Sequence, residues 1–499
     1  MIRSAVLRFS KYIKATRESS DLFVDSVVTC YSKKTTFIGI MLLLISFGVF
    51  ASLTPDALIN GDAALYTQQI ASFDFSQRTV HLGYYLLGAA FTVLLPGSND
   101  YTLNLMNCFF GALSISLLYL MTLTLCRKQT LAVVSSLFWA TNFIFLRNAL
   151  YAEVYMTGTF FLLLALQLWL LNKPVLTGLS FALSTLIAPS SIFAVPCLII
   201  LRARKKALLQ LGATTFVILT VALLPHYNDY LFGDRGLLIA AGRPINIGSA
   251  ILKECKEIAY GFFLYIPFLL AGIVQLVKEK RLHVFGVAIF GLWLFNFLLG
   301  ERFGDVPTQL PTYALFCLLG GLGFHLFSTI LRKVANRGRT NRLLVAFVVL
   351  TLVVGISSFR VFRLISKKNH ELVGYRNTVL KVSKITSPDY LVVGKWGQGV
   401  LFHHYAFQEL YTKHRTNTGW FTEHWINVGR LLKEAGGKRQ QLESIEKWQE
   451  AIASGQEIWI LQKSPSLFSD LRKEGYAIEP FRTIYRATKR IQPPTANQA

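Results

Sequence analysis

The chain has 499 residues, of which 53% are hydrophobic and only 16% are charged, and this excludes an ordinary soluble protein in favour of a polytopic membrane protein. Its 51 Lys and Arg residues exceed its 27 Asp and Glu residues, which gives a formal net charge of +24. Cytoplasmic loops of membrane proteins retain Lys and Arg, and no basic helix carries interleaved stacking aromatics. We therefore expect the positive charge to face the headgroups of a lipid bilayer, and we expect no nucleic-acid partner.

Residues 1–34 are basic and polar, and no small-residue cleavage site follows the first apolar run, so we predict a cytoplasmic arm before an uncleaved span. A span needs roughly 20 apolar residues. Nine runs approach that length and two shorter ones flank Pro189. Together they predict about eleven transmembrane helices, at 35–53, 101–125, 130–147, 154–171, 175–187, 189–201, 207–225, 257–277, 283–300, 309–330 and 342–361.

The positive-inside rule supports this assignment. With a cytoplasmic N-terminus, every inner loop is basic, namely Arg127-Lys128, Lys173, 202–206, 278–281 and 332–342. The register requires that residues 82–96 do not cross. We predict that this segment is an interfacial or re-entrant helix within an outer loop, 54–100, because it is short and ends at Pro96-Gly97.

The tail, residues 365–499, differs from the rest because its charged fraction rises and its apolar runs shorten. Residues 390–394 and 458–461 are typical of buried strands, and the intervening sequence contains amphipathic helical patterns. We predict a small extracytoplasmic α/β domain. The domain order is then the arm 1–34, a transmembrane domain 35–364 and the tail 365–499.

Several polar motifs fall at the outer ends of the predicted spans. In chain order they are Gly61-Asp62, His81-Leu82-Gly83-Tyr84-Tyr85, Asn104 to Tyr119, Ala152-Glu153-Val154-Tyr155 and Arg302 to Pro311. This order, over roughly residues 35–330, resembles the GT-C glycosyltransferases, and more narrowly a bacterial membrane-protein family related to protein O-mannosyltransferases. The resemblance implies a GT-C-like catalytic domain in a bacterial cytoplasmic membrane and a polyprenyl-phosphate sugar donor.

Two carboxylates are the candidate catalytic residues. Asp62 lies between membrane and water, where partial desolvation favours a general base, although it is also placed to cap a helix starting near Ala63. Glu153 begins an apolar span and is a candidate to orient the acceptor, although an ion pair with Arg147 also explains it. No cofactor is certain. A divalent metal ion shared by Asp62 and Glu153 is left open.

The leaving phosphate needs cations and hydrogen-bond donors. Arg302 is the first candidate because a guanidinium matches phosphate oxygens, although a local salt bridge is the alternative. His81 is also explained as a structural hydrogen-bond donor, and the tyrosines as an aromatic belt. The full set of predicted substrate- and phosphate-binding residues is Arg302, Arg78, His81, Tyr84, Arg147 and Tyr155.

These residues and the resemblance predict a glycosyltransferase that moves a sugar from a polyprenyl-phosphate carrier to a hydroxyl at the outer membrane face. The closest resemblance implies mannose and a protein Ser/Thr acceptor, and an envelope lipid or glycan acceptor stays open. The alternatives are a transporter or flippase for an anionic lipid-linked substrate and a non-catalytic membrane scaffold. The absence of an evident internal repeat and the location of the acids at span ends favour the enzyme.

Overall fold

The computed structural model describes residues 32–59, 61–73, 81–201, 205–224, 247–279, 282–303, 309–334, 339–382, 390–394, 401–402, 404–405, 425–427, 448–461, 465–482 and 484–489. Apolar runs become helices here because hydrocarbon cannot satisfy backbone N–H and C=O groups. The helices before the tail are α1 (Lys33–Leu53), α2 (Gly61–Ser72), α3 (Leu82–Leu94), α4 (Asn99–Cys126), α5 (Gln129–Ala140), α6 (Phe143–Leu150), α7 (Val154–Leu170), α8 (Pro174–Ile187), a 3-10 turn (Pro189–Ala194), α9 (Val195–Leu201), α10 (Lys205–Leu223), α11 (Ile247–Phe262), α12 (Ile266–Lys278), α13 (His283–Phe303), α14 (Leu310–Val334) and α15 (Arg339–Val382).

Large apolar side chains cover the outer surface of several helices. Phe37 and Leu44 on α1, Phe216 on α10, and Phe347 and Phe359 on α15 are each more than half exposed. Such surfaces require an apolar environment, so the protein is an integral membrane protein. Among the described residues, five helices are long and apolar enough to cross a bilayer alone, or seven spans if each bent pair is one. The number eleven stays a prediction.

Two runs that we expected to be continuous spans are broken. Residues 130–147 form α5 and α6, which meet at 65°, and residues 257–277 fall on α11 and α12, which meet at 103°. At the first break, Asn142 caps α6 by accepting hydrogen bonds from the N–H groups of Ile144 (2.9 Å) and Phe145 (3.2 Å). At the second, Pro267 in the first turn of α12 favours a new helix start.

Helix α4 is the most buried of the long apolar helices, and buried polar residues such as Asn104 and Asn107 lie along it. Elsewhere the helices pack through glycine. A Cβ at Gly272 of α12 would lie 1.8 Å from the Leu319 carbonyl oxygen on α14, and one at Gly323 would lie 1.7 Å from that of Phe268. These two glycines therefore let α12 and α14 approach backbone to backbone, as is common in membrane bundles.

The tail contains a five-stranded sheet of β1 (Tyr390–Gly394), β2 (Trp425–Asn427), β3 (Glu457–Ile460), β4 (Tyr476–Phe481) and β5 (Ile484–Lys489), with α16 (Pro465–Lys473) before β4. The strand order is β2-β1-β3-β5-β4. β1 pairs in parallel with β2 and β3, and β5 pairs antiparallel with β3 and β4. The predicted strands at 390–394 and 458–461 are thus observed, and a small C-terminal sheet is confirmed.

The chain divides into two compact units. We call residues 1–54, 75–96 and 102–366 the bundle unit, and residues 55–74, 97–101 and 367–499 the sheet unit. The sheet unit therefore combines the tail with α2 and with the short segment that starts α4. The predicted outer loop contributes to both units. Its segment 82–96, predicted as an interfacial or re-entrant helix, contains helix α3, and the place of this helix in the membrane stays a prediction.

Candidate functional site

In the bundle unit, the short loop between α6 and α7 is held by two asparagines of α4. Asn104 Oδ1 accepts a hydrogen bond from the Ala152 N–H at 2.7 Å. Asn107 Nδ2 donates to the carbonyls of Tyr151 (2.5 Å) and Glu153 (2.7 Å). Both asparagines are fully buried. Since they are three residues apart, they share one face of α4 and satisfy loop backbone that water does not reach.

This clamp fixes the position of Glu153. The residue is the N-cap of α7, with extended backbone angles, yet its side chain makes no capping hydrogen bond. Its carboxylate is half-buried and lies within electrostatic range of the fully buried Tyr84 on α3. Two predicted site residues therefore interact electrostatically, and the Glu153 side chain does not cap α7.

A pocket opens two residues further along the chain, beside Tyr155 in the first turn of α7. It is lined by Tyr155, Ser190, Ser191, Asn296 and Pro311 among others. Asn296 donates to the Thr312 hydroxyl at 3.3 Å, which links α13 to α14 at the pocket wall. This group, the Tyr155 pocket, places a predicted binding residue in a polar-lined concavity.

The other predicted cations of the bundle unit have different surroundings. Arg147 is exposed in the last turn of α6 and interacts electrostatically with Glu257 of α11. His81 donates from Nδ1 to the Ile187 carbonyl at 2.8 Å, which is the structural role we named as its alternative. Arg78 lies outside the described residues, and Arg302 is in the last turn of α13 with a side chain outside the described part.

In the sheet unit, Asp62 lies within the first turn of α2, which begins at Gly61, so it is not the N-cap that we considered. A carboxylate there interacts favourably with the helix dipole. Further along α2, Gln68 Nε2 is 3.4 Å from His404 Nδ1. His404 Nε2 in turn donates to Asp100, 3.1 Å from both carboxylate oxygens, and both of these side chains are 3% exposed. This Asp100–His404–Gln68 chain anchors the helix that carries Asp62.

A second set of contacts holds the segment before α2. Asp56 accepts from Arg376 Nη1 and from the Ser98 hydroxyl, both at 3.0 Å. The Leu58 N–H donates to the Tyr405 hydroxyl at 2.7 Å. Burial, together with the negative charge of Asp100, raises the pKa of the Tyr405 phenol well above its usual range. Tyr405 is therefore a neutral hydrogen-bond acceptor at physiological pH.

Sequence reasoning did not identify Asn107, Asp100, His404 or Asn296 as important. Asn104 and Asn107 could have been recognised in the sequence, because burying two side-chain amides in an apolar run costs free energy unless both are hydrogen-bonded. No local pattern identifies His404, because its partner Asp100 is 304 positions away in the sequence. Across the ranges that can be described, no group of three His, Cys, Asp or Glu side chains forms a metal-binding cluster.

The comparison with solved structures shows the fold of the chain, and this fold is the one that the resemblance to GT-C glycosyltransferases implied. The chain is similar to ArnT from Cupriavidus metallidurans in two crystal structures, the apo state and the state bound to undecaprenyl phosphate, with TM-scores of 0.58 and 0.55. The matches cover 91% and 92% of this chain and 98% of each ArnT chain, at 11% sequence identity. No protein-family model matches the chain, and no curated protein matches its sequence.

Proposed function

We propose that the protein is a glycosyltransferase that moves a sugar from a polyprenyl-phosphate carrier to a hydroxyl acceptor at the outer face of the membrane. The observation that supports this most is the GT-C fold, which extends over nine-tenths of the chain and is shared with a protein crystallised with undecaprenyl phosphate. Mannose as the sugar, and protein Ser/Thr rather than an envelope lipid or glycan as the acceptor, are the narrower proposals that rest on the motif resemblance alone.

The proposed reaction is an inverting displacement. The acceptor oxygen forms a bond to the anomeric carbon while the bond from that carbon to the phosphate oxygen breaks, and the phosphate departs with the electron pair. A base must take the hydroxyl proton. We assign this role to Asp62. Its half-buried position in the first turn of α2, together with the anchoring of that helix through Gln68, would hold the carboxylate in a fixed orientation.

We assign supporting roles to the other candidates. Glu153 would orient the acceptor, because the asparagine clamp fixes its backbone. Tyr155 would line the substrate groove with the polar groups of its pocket. Arg302 would neutralise the phosphate, with Arg78, His81, Arg147 and Tyr84 as further contacts. A divalent ion between Asp62 and Glu153 remains a proposal that oxygen ligands would permit.

The topology that we propose puts the N-terminus in the cytoplasm and the sheet unit outside it, in a bacterial cytoplasmic membrane. The support is the basic character of every loop that this orientation makes cytoplasmic.

The test is transfer of radiolabelled sugar by purified protein, from several polyprenyl-phosphate donors, to a membrane extract. We expect Asp62→Asn to lower the rate at least about 100-fold, because the base is lost while the shape is kept. Asp56→Asn is the matched control. It changes an acid in the same segment that bonds Arg376 and Ser98, and we expect a rate within about twofold of wild type.

Three results would overturn this proposal in whole or in part. Equal transfer by wild type and Asp62→Asn would keep the enzyme and remove Asp62 from its mechanism. No transfer from any donor by a folded wild-type protein would favour the transporter or the scaffold. If Asp56→Asn abolishes transfer to the same extent as Asp62→Asn does, the reaction needs the segment that contains both acids, and not the Asp62 carboxylate in particular.

A further inference from the structure

A second pocket of the bundle unit lies where both bent helix pairs break. Thr141 from the break between α5 and α6, Phe263 from the break between α11 and α12, Tyr260 near the end of α11, and Ser357 and Arg360 from α15 line it. We call this group the Arg360 pocket. None of its residues belongs to the set assigned above to the sugar transfer.

Arg360 is the charged group of this pocket. It is half-buried, and its guanidinium carbon lies 4.9 Å from the ring centroid of Tyr260 and 5.1 Å from that of Phe263. In the part of the chain that is described, no carboxylate forms an ion pair with it. Stacking on aromatic rings uses the face of a guanidinium, whereas its N–H donors point outward in the plane. The donors therefore retain capacity for an anion.

The depth of the pocket can be estimated along two helices. At 1.5 Å per residue, Thr141 lies about 20 Å from Lys128 along α5, and Arg360 lies about 27 Å from Arg342 along α15. Lys128 and Arg342 mark the same membrane side in the positive-inside assignment. Since the hydrocarbon core is about 30 Å thick, the pocket is near the headgroup layer of the opposite leaflet. An arginine at that depth is a functional candidate and can meet a lipid phosphate.

We propose that the Arg360 pocket binds the phosphate group of an anionic lipid. Arg360 supplies the charge and two N–H donors, and the rings of Tyr260 and Phe263 contact the apolar part next to the phosphate. A bilayer phospholipid and a polyprenyl phosphate both present this chemistry. The proposal does not depend on sugar transfer, since it concerns binding alone.

The test is native mass spectrometry of the full-length protein in detergent with three added lipids: phosphatidylglycerol, undecaprenyl phosphate, and diacylglycerol as the phosphate-free probe. We expect at least one of the two phosphate lipids to remain bound, and Arg360→Gln to weaken its binding about tenfold or more, which corresponds to the loss of a charge-assisted hydrogen bond. Arg363→Gln is the matched control, because Arg363 is on the same helix one turn away and exposed, outside the pocket. We expect it to bind like wild type.

The lipid that Arg360→Gln loses identifies the source of the phosphate. The proposal is overturned if Arg360→Gln binds both phosphate lipids as wild type does, if Arg363→Gln loses as much binding, or if diacylglycerol binds equally well. Should Arg360→Gln fail to fold, Arg360→Lys replaces it. Arg360→Lys keeps the charge but not the planar donor pair, so it should weaken phosphate-lipid binding several-fold. Unchanged binding by Arg360→Lys would also overturn the proposal.

Discussion

The bundle unit and the sheet unit each contain a buried hydrogen-bond network, and the two networks use different groups. In the bundle unit, neutral amides of Asn104 and Asn107 bond the backbone of the loop before α7. In the sheet unit, the ionisable side chains of Asp100 and His404 bond each other, and Gln68 continues the chain. Each network includes side chains of α4, and these side chains lie within eight consecutive positions, from Asp100 to Asn107.

The difference follows from what each network has to satisfy. A loop among membrane helices exposes both N–H and C=O groups, and an asparagine amide complements both without a charge that would need desolvation. The Asp100–His404 pair connects two side chains, and only an acceptor with two oxygens can face one ring N–H at equal distances of 3.1 Å. The asparagine network should therefore tolerate changes of pH and salt. The stability of the sheet unit should instead fall when either Asp100 or His404 is replaced.

The largest effect is expected in the asparagine clamp. Asn107→Leu keeps the approximate shape but leaves the carbonyls of Tyr151 and Glu153 without these donors. We expect a loss of about 2–4 kcal/mol of stability, since each buried group without a partner costs about 1–3 kcal/mol. Thermal unfolding in detergent measures it. Asn172→Gly is the control, because Asn172 is exposed with a φ of 59° that glycine adopts easily, and no fall is expected.

The next effect concerns Asp100. Asp100→Ala removes the acceptor of the His404 N–H in a site that water does not reach, so we expect a loss of about 2 kcal/mol in the sheet unit. Hydrogen exchange of the segment 61–72 should rise, because Gln68 loses a fixed partner. Asp470→Ala is the comparison, since the Asp470–Lys473 pair is largely exposed at 4.0 Å and should be neutral. Equal exchange in the two variants would remove the network as an anchor of α2.

Tyr405 gives a smaller, pH-dependent effect. Its folded-state pKa is raised, so the stability it contributes is present below the unfolded pKa of about 10 and is lost as pH rises toward the folded value. Tyr405→Phe should cost about 1 kcal/mol near neutral pH, because the Leu58 N–H loses its acceptor. Unfolding temperatures at about pH 8 and about pH 11 should show this difference shrinking at the higher pH. A constant difference would contradict the raised pKa.

The smallest effect is expected for Asp56 and Arg376, whose side chains are 50% and 25% exposed. Asp56→Ala should lower stability by only about 0.5 kcal/mol at low salt. The difference should vanish near 1 M salt, where the screening length falls to about 3 Å. Asn107→Leu measured in the same salt series should keep its full deficit, and that contrast separates a screened ion pair from a buried neutral clamp.

Apolar runs predicted most helices of the bundle, because crossing hydrocarbon requires both length and low charge. They did not predict the two breaks. The first had a visible signal in Asn142, a good N-cap residue inside an apolar run. The start of α11 at Ile247 was missed because Lys253, Glu254, Lys256 and Glu257 make that stretch too polar for a span.

The site was less predictable than the fold. Motifs at span ends pointed to Glu153, Tyr155 and Asp62, and the structure places the first two at one helix end, where Glu153 interacts electrostatically with Tyr84. The anchors of those residues lie far away in the sequence. Asp100 and His404, or Asn107 and the loop at 151–153, meet only through tertiary folding, for which a local pattern contains no information. Strands β4 and β5 were missed for a different reason, because charged residues and a proline, namely Glu479, Pro480 and Arg486, interrupt their apolar pattern.

The break between α5 and α6 also bears on how the chain enters the membrane during synthesis. α5 has 12 residues and α6 has eight, so each half is well short of the roughly 20 residues that partition into lipid unaided. The amide of Asn142 that closes the break donates to the Gly261 carbonyl of α11, a segment made 119 residues later. We therefore expect this span to stay beside the insertion machinery and to settle only after α11 has been translated.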